Sequence, residues 1–150
     1  MLCVFSAVVD THAPFPEVAV PMLLRFLLVC LAGAAGTGTR YLVSLGAGKL
    51  LGPTFPWGTL FVNLAGCFLI AAIVHVSLLK ASPISDLTRL VLTTGFMGGL
   101  TTYSSFNLET TTLLRDGSYR LAATNLGVTV IGCFIAGMLG LFAARTFFGS

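Results

Sequence analysis

Gly95-Phe96-Met97-Gly98-Gly99-Leu100-Thr101-Thr102-Tyr103-Ser104-Ser105-Phe106 lies in the middle of an apolar run long enough to cross a membrane, yet it is crowded with glycines, hydroxyls and two closely spaced aromatics. A lipid-facing helix has no use for that mixture. Glycine pairs loosen a helix, because each lacks a Cβ and costs about 1 kcal/mol relative to alanine in a helix interior. A break at membrane depth frees backbone N–H and C=O groups, and it is tolerated only where they face protein, water or an ion. The stretch therefore has two readings: a discontinuous helix at a binding or conduction site, or close helix packing through small residues.

The rest of the 150-residue chain fixes the setting. It is 56% hydrophobic and 9% charged, with a strongly positive mean hydropathy, outside the range of soluble domains. The class is an all-α integral membrane protein, with room for about four spans of roughly 20 residues in the lipid bilayer and no room for a soluble catalytic domain. The formal charge of +3 is spread out, with no run of Lys and Arg, so nucleic acid is excluded as a partner. Cys3, Cys30, Cys67 and Cys133 show no CxxC spacing and three fall in apolar runs, so they read as small packing residues.

Residues 1–21 form an N-terminal extension, disordered or interfacial: the apolar piece Leu2 to Val9 is too short to span, and Met22, where a membrane segment begins, is an alternative start. Residues 22–150 form the membrane domain. Its spans are expected over Met22 to Leu45, Trp57 to Leu79, Leu90 to Leu114 with the break at its centre, and Leu121 to Phe142. Gly52, Pro53 and Pro56 punctuate the first connection, and Trp57 suits a membrane interface.

A few polar residues in these spans carry the chemistry. Arg40 is either an interfacial anchor snorkelling beside Tyr41 or the base of an anion-attracting vestibule. The Asn63 amide has to be paired, so it faces either a neighbouring helix or a ligand. His75 lacks a second ligand at helical spacing and reads as interfacial packing. Glu109 is the sole acid inside a span and a possible ion-path residue, and Thr124, Asn125 and Thr129 put polar groups on the last span.

These residues together resemble the fluoride channel family, small bacterial membrane proteins also called fluoride exporters and once labelled camphor-resistance proteins. The matching pieces are Gly33-Ala-Ala-Gly36 with Arg40-Tyr41, Gly58-Thr59-Leu60 with Val62-Asn63 and Gly66, and Gly98 to Phe106 with Glu109. The resemblance implies a non-enzymatic, fluoride-specific channel of the bacterial cell membrane, built as an antiparallel dual-topology homodimer with two narrow pores and a central structural Na+. It also implies that backbone carbonyls of Gly98 and Thr101 hold the sodium ion, that Asn63 is the pore asparagine, and that the two pore phenylalanines fall on Tyr103 and Phe106. Tyr103 departs from the family pattern by its hydroxyl.

The residue types agree with that expectation. Fluoride is small and strongly hydrated, and Asn63, Thr102, Ser104, Ser105 and Thr129 offer neutral donors to replace its water. An aromatic ring edge carries partial positive charge, so Phe106 can touch an anion without trapping it. A dual topology also fits the charges: Arg25, Lys80, Arg89 and Arg145 fall on one side, against Lys49, Arg115 and Arg120 on the other, a split too even to fix one orientation. The competing reading, a four-span proton-coupled multidrug exporter, needs an acid in the first span, where this chain has Arg40.

Overall fold

The computed structural model describes residues 20–79 and 82–149, and the described residues are entirely helical or irregular, without a strand. The extension expected over residues 1–21 lies outside this region for residues 1–19. Helix α1 spans Met22–Leu51, α2 spans Trp57–Ser77 and α5 spans Tyr119–Phe148, and these three are long and apolar enough to cross a membrane. Between α2 and α5 the chain is helical in two shorter pieces, α3 over residues 86–100 and α4 over Tyr103–Arg115.

The boundaries follow from local chemistry, and several differ from the sequence expectation. Helix α1 continues past Leu45 through Gly46 and Gly48 and stops only at Gly52, whose φ of 84° precedes Pro53. Its 30 residues make it about 45 Å long. Helix α5 likewise overruns the expected Leu121 to Phe142, entering after Gly117 (φ 75°) and ending at Gly149 (φ 86°). Helix α3 begins ahead of Leu90, where the Ser85 hydroxyl accepts from the Thr88 N–H at 3.1 Å and Asp86 in the first turn pairs with Arg89 at 3.0 Å.

Helix α3 changes character along its length. Residues Val91–Met97 form a π-helical stretch, and a last α-turn, Gly98–Leu100, follows. The glycine pair is not where the helix breaks: Gly98 keeps helical angles (φ −61°, ψ −36°). The break falls on Thr101 (φ −82°, ψ 153°) and Thr102 (φ −153°, ψ 118°), both extended.

The glycines serve the other purpose, close approach. A Cβ on Gly36 would strike the carbonyl oxygen of Phe96, one on Gly99 would strike the carbonyl oxygen of Gly33, and one on Gly95 would sit 2.7 Å from the Ala32 Cβ. Helices α1 and α3 thus cross backbone against backbone, as small-residue interfaces allow in a membrane. Helices α2 and α5 form the second close pair, with Gly140 against the Phe68 carbonyl. Helix α2 is the most buried of the long helices and stands between these contacts.

The interior is small and partly polar. Val62, Met97 and Leu100 form its apolar centre, flanked by Val43, Ile70 and Phe96. Asn63, Thr59, Thr93, Thr102, Thr110, Asn125 and Thr129 are also buried, and Asn125 is the largest fully buried side chain. Leu and Phe side chains along α1 and α5 point outward instead, as lipid contact requires.

The α1–α3 crossing yields a direct comparison. Gly36→Val should destabilise the fold by about 1–3 kcal/mol or more, since a backbone carbonyl cannot yield as a side chain can. Gly38→Val, with nothing within 4 Å of its Cβ position, should be tolerated. Size-exclusion profiles and thermal unfolding in detergent would compare the two, and equal behaviour would contradict the crossing.

Candidate functional site

The break is held by one side chain. The Asn63 Oδ1 accepts from the Thr102 N–H at 2.8 Å, and the Asn63 Nδ2 donates to the Thr102 carbonyl at 3.0 Å. The primary amide thus stands in for a peptide partner and satisfies both backbone groups of Thr102. Both residues are buried. Of the two sequence readings of Asn63, the neighbouring-helix bond is therefore present; the nitrogen carries a second hydrogen beyond the one given to Thr102.

Freed from the helix ladder, Thr102 starts α4. Its Oγ1 accepts from the Ser105 N–H at 3.2 Å, an N-cap, donates to the Ser105 Oγ at 3.1 Å and lies 3.2 Å from the Ser104 Oγ. Thr101 anchors the other side of the break: its hydroxyl donates to the Met97 carbonyl at 2.9 Å, and its Cγ2 packs where Gly66 has no side chain. Because the Thr102 N–H goes to Asn63, the Gly98 carbonyl lacks its usual partner one turn on. Among the described residues, neither the Gly98 nor the Thr101 carbonyl accepts a hydrogen bond.

The first turn of α4 sets the aromatics. Tyr103 and Phe106 place their ring centroids 5.5 Å apart at 56°, a tilted pair; Phe106 is 3% exposed and Tyr103 is 69% exposed on the single chain. Beyond Phe106 runs a column of polar contacts between α4 and α5. Thr129 donates to the Asn125 Oδ1 at 3.4 Å, the Asn125 Nδ2 donates to the Thr110 Oγ1 at 2.8 Å, and Thr110 donates to the Phe106 carbonyl at 2.7 Å. On the α2 side Thr59, one turn before Asn63, donates to the Glu109 Oε1 at 2.6 Å, and Glu109 Oε2 is buried with no partner among the described residues.

A cavity of about 330 Å³ opens beside the break. Asn63, Thr102, Tyr103, Phe106 and Thr129 line it, with Gly98 and Thr101, and no acidic or basic side chain does. Of the residues singled out from sequence, Ser104, Ser105, Glu109 and Arg40 are not in its wall; the two serines are tied to Thr102, Glu109 to Thr59, and Arg40 is half-buried on α1. His75 sits at the end of α2, 2.9 Å from the Gly149 carbonyl at the end of α5.

Sequence reasoning missed Thr59, Thr110 and Gly66 as partners. The signal was present for two of them: Thr59, Asn63 and Gly66 recur at i, i+4 and i+7 on one face of α2, the face that meets the break.

Known proteins resemble this chain along most of its length. The family model described as CrcB-like protein, Camphor Resistance (CrcB), matches residues 27–141. A protein of Anaeromyxobacter sp. (strain K) named fluoride-specific ion channel FluC is 49% identical over 123 residues, 82% of this chain and 97% of that protein. Proteins of the same name from Sorangium cellulosum (strain So ce56) and Geobacter sulfurreducens (strain ATCC 51573 / DSM 12127 / PCA) are each 43% identical, over 81% and 82% of this chain and 94% and 98% of their own lengths. These relatives carry the name of a channel and not of an enzyme. With a match this long and three membrane-length helices, the chain is a multi-pass membrane protein that belongs to the CrcB-like, camphor-resistance family.

Proposed function

We propose that this protein is a passive fluoride channel that lets cytoplasmic fluoride leave the cell down its gradient. The carrying observation is the uncharged cavity at the broken helix, in which the Asn63 amide, the Thr102 and Thr129 hydroxyls and the Tyr103–Phe106 ring pair meet. Its chemistry suits a small, strongly hydrated anion. Neutral donors replace water without the deep well that a Lys or Arg would create, and conduction needs weak enough binding for release.

Each residue has a derivable part. The second Asn63 N–H is the donor for the anion, while the first keeps the break open. The Thr102 and Thr129 hydroxyls spend their only hydrogens on Ser105 and Asn125 in the present arrangement, and each would donate to the anion by turning away from that partner. Phe106 offers a ring edge, and Tyr103, at the family's other phenylalanine position, offers ring and hydroxyl together. The bases outside the cavity, Arg40 among them, draw anions toward the entrance by the field they create.

The active unit in this reading is an antiparallel homodimer in which α3 and α4 together make a fourth, interrupted crossing. The near-even Lys and Arg split favours insertion both ways, and Gly98 is exposed on the single chain, on the side left for a second copy. The carbonyls of Gly98 and Thr101, without hydrogen bonds within the chain, fit a hard, oxygen-seeking cation, and those of two copies would hold a structural Na+ that neutralises acceptors otherwise costly in hydrocarbon.

The function is tested with protein in liposomes loaded with potassium fluoride or potassium chloride. Efflux followed by ion-selective electrodes after a potassium ionophore is added should be rapid for fluoride and near background for chloride. Equal rates, or no protein-dependent fluoride release, contradict the reading. The topology is tested with Thr146→Cys in a cysteine-free background, labelled by an impermeant thiol reagent in intact cells. About half of the chains should label, as dual insertion requires; nearly all or nearly none means a single orientation.

A further inference from the structure

Cys67 and Cys133 are not a disulfide and take no part in the conduction chemistry above, yet the fold brings them together in the cavity wall. The seam between α2 and α5 shows how. Gly132 of α5 faces Leu64, with its Cβ position 3.0 Å from the Leu64 Cδ2, and Gly137 faces the Cys67 carbonyl, with its Cβ position 3.7 Å from that oxygen. Cys133 lies between these two glycines, and Cys67 lies one turn beyond Asn63 on the facing helix. Both thiols are free and half-buried, and Cys133 stands one turn before Gly137, the residue that faces Cys67. They line the same cavity as Asn63, Thr102 and Phe106.

Two thiols so placed make a particular kind of ligand set. A zinc site needs four ligands, and the described residues offer no cluster of three or more His, Cys, Asp or Glu. Soft cations are different: they prefer thiolate sulfur, and those of low coordination number are satisfied by two. We infer that Cys67 and Cys133 form a two-thiolate site for one soft, thiophilic cation in the cavity wall, and that its occupation obstructs the anion path. Binding is a simple exchange. Two S–H bonds break, two sulfur–metal bonds form, both protons leave to water, and no electron is transferred. The obstruction, unlike the binding, rests on the channel reading given above.

Hg2+ is the probe, applied to the purified full chain carrying Cys3→Ser and Cys30→Ser. Native mass spectrometry should find one mercury per chain with the loss of two protons, retained after a wash with excess glutathione. Cys67→Ser and Cys133→Ser, or the corresponding alanine variants, should each lose the retained mercury. Retention in either variant, or two mercuries per chain, overturns the shared site whatever the ion flux does. Fluoride release is then read from liposomes holding the same preparations. Mercury should stop it in the two-thiol protein and not in the single-thiol variants. If mercury bridges the pair and fluoride release continues unchanged, the obstruction is overturned while the two-thiol site stands; if the unmetallated protein releases no fluoride, it is the channel reading that fails.

Discussion

The pairing of the Asn63 amide with the N–H and C=O of Thr102 is the constraint on which the site depends. An extended residue inside a membrane exposes a donor and an acceptor, each costing several kcal/mol if unpaired in hydrocarbon. A primary amide carries both complementary groups at peptide spacing, so one side chain answers both. The consequences spread along the chain. Thr102 can remain extended and cap α4 with its hydroxyl; α4 then starts at Tyr103; Tyr103 and Phe106 fall within one turn of the break; and the Gly98 carbonyl loses its usual donor one turn on.

Packing supplies the rest of the frame. In a bilayer, helices are not pushed together by water, so association relies on close contact and on polar groups that satisfy one another. The α1–α3 crossing uses the first device, with Gly36 and Gly99 touching opposing backbone, and the α4–α5 contact uses the second, through Thr110, Asn125 and Thr129. Helix α2 takes part in both, since Asn63 reaches the break and Thr59 reaches Glu109. The polar interior is thus paired within the chain almost throughout, and the cavity beside it keeps a neutral wall.

Much of this was legible in the sequence. The helical class, the membrane setting and the region of the break follow from hydropathy and from the crowding of Gly, Ser and Thr around residue 100. The exact break was not: glycines suggested it, but they are helical, because the missing Cβ is used for contact with α1. The threonines unwind instead, and only the partner on α2 decides which residues those are. Helix ends were underestimated at both α1 and α5, since apolarity fades before the φ-positive glycines that stop them. The Thr59–Glu109 and Asn125–Thr110 bonds, and the meeting of Cys67 with Cys133, depend on helix facing across long sequence separations, which periodicity within one span does not encode. Asn63 was readable as obliged to pair, yet the group it fastens shows only once Thr102 is seen opposite it.

The measurement that bears most directly on this account is fluoride release through Asn63→Asp in liposomes, with thermal unfolding of the same preparation as the companion readout. A carboxylate can still accept from the Thr102 N–H, but it opposes the Thr102 carbonyl with a second acceptor and presents negative charge to the anion. The account predicts a folded, less stable protein whose fluoride release falls by roughly tenfold or more, the equivalent of ~1.4 kcal/mol on the barrier. Release at the wild-type rate from a protein of unchanged stability would contradict both roles given to Asn63.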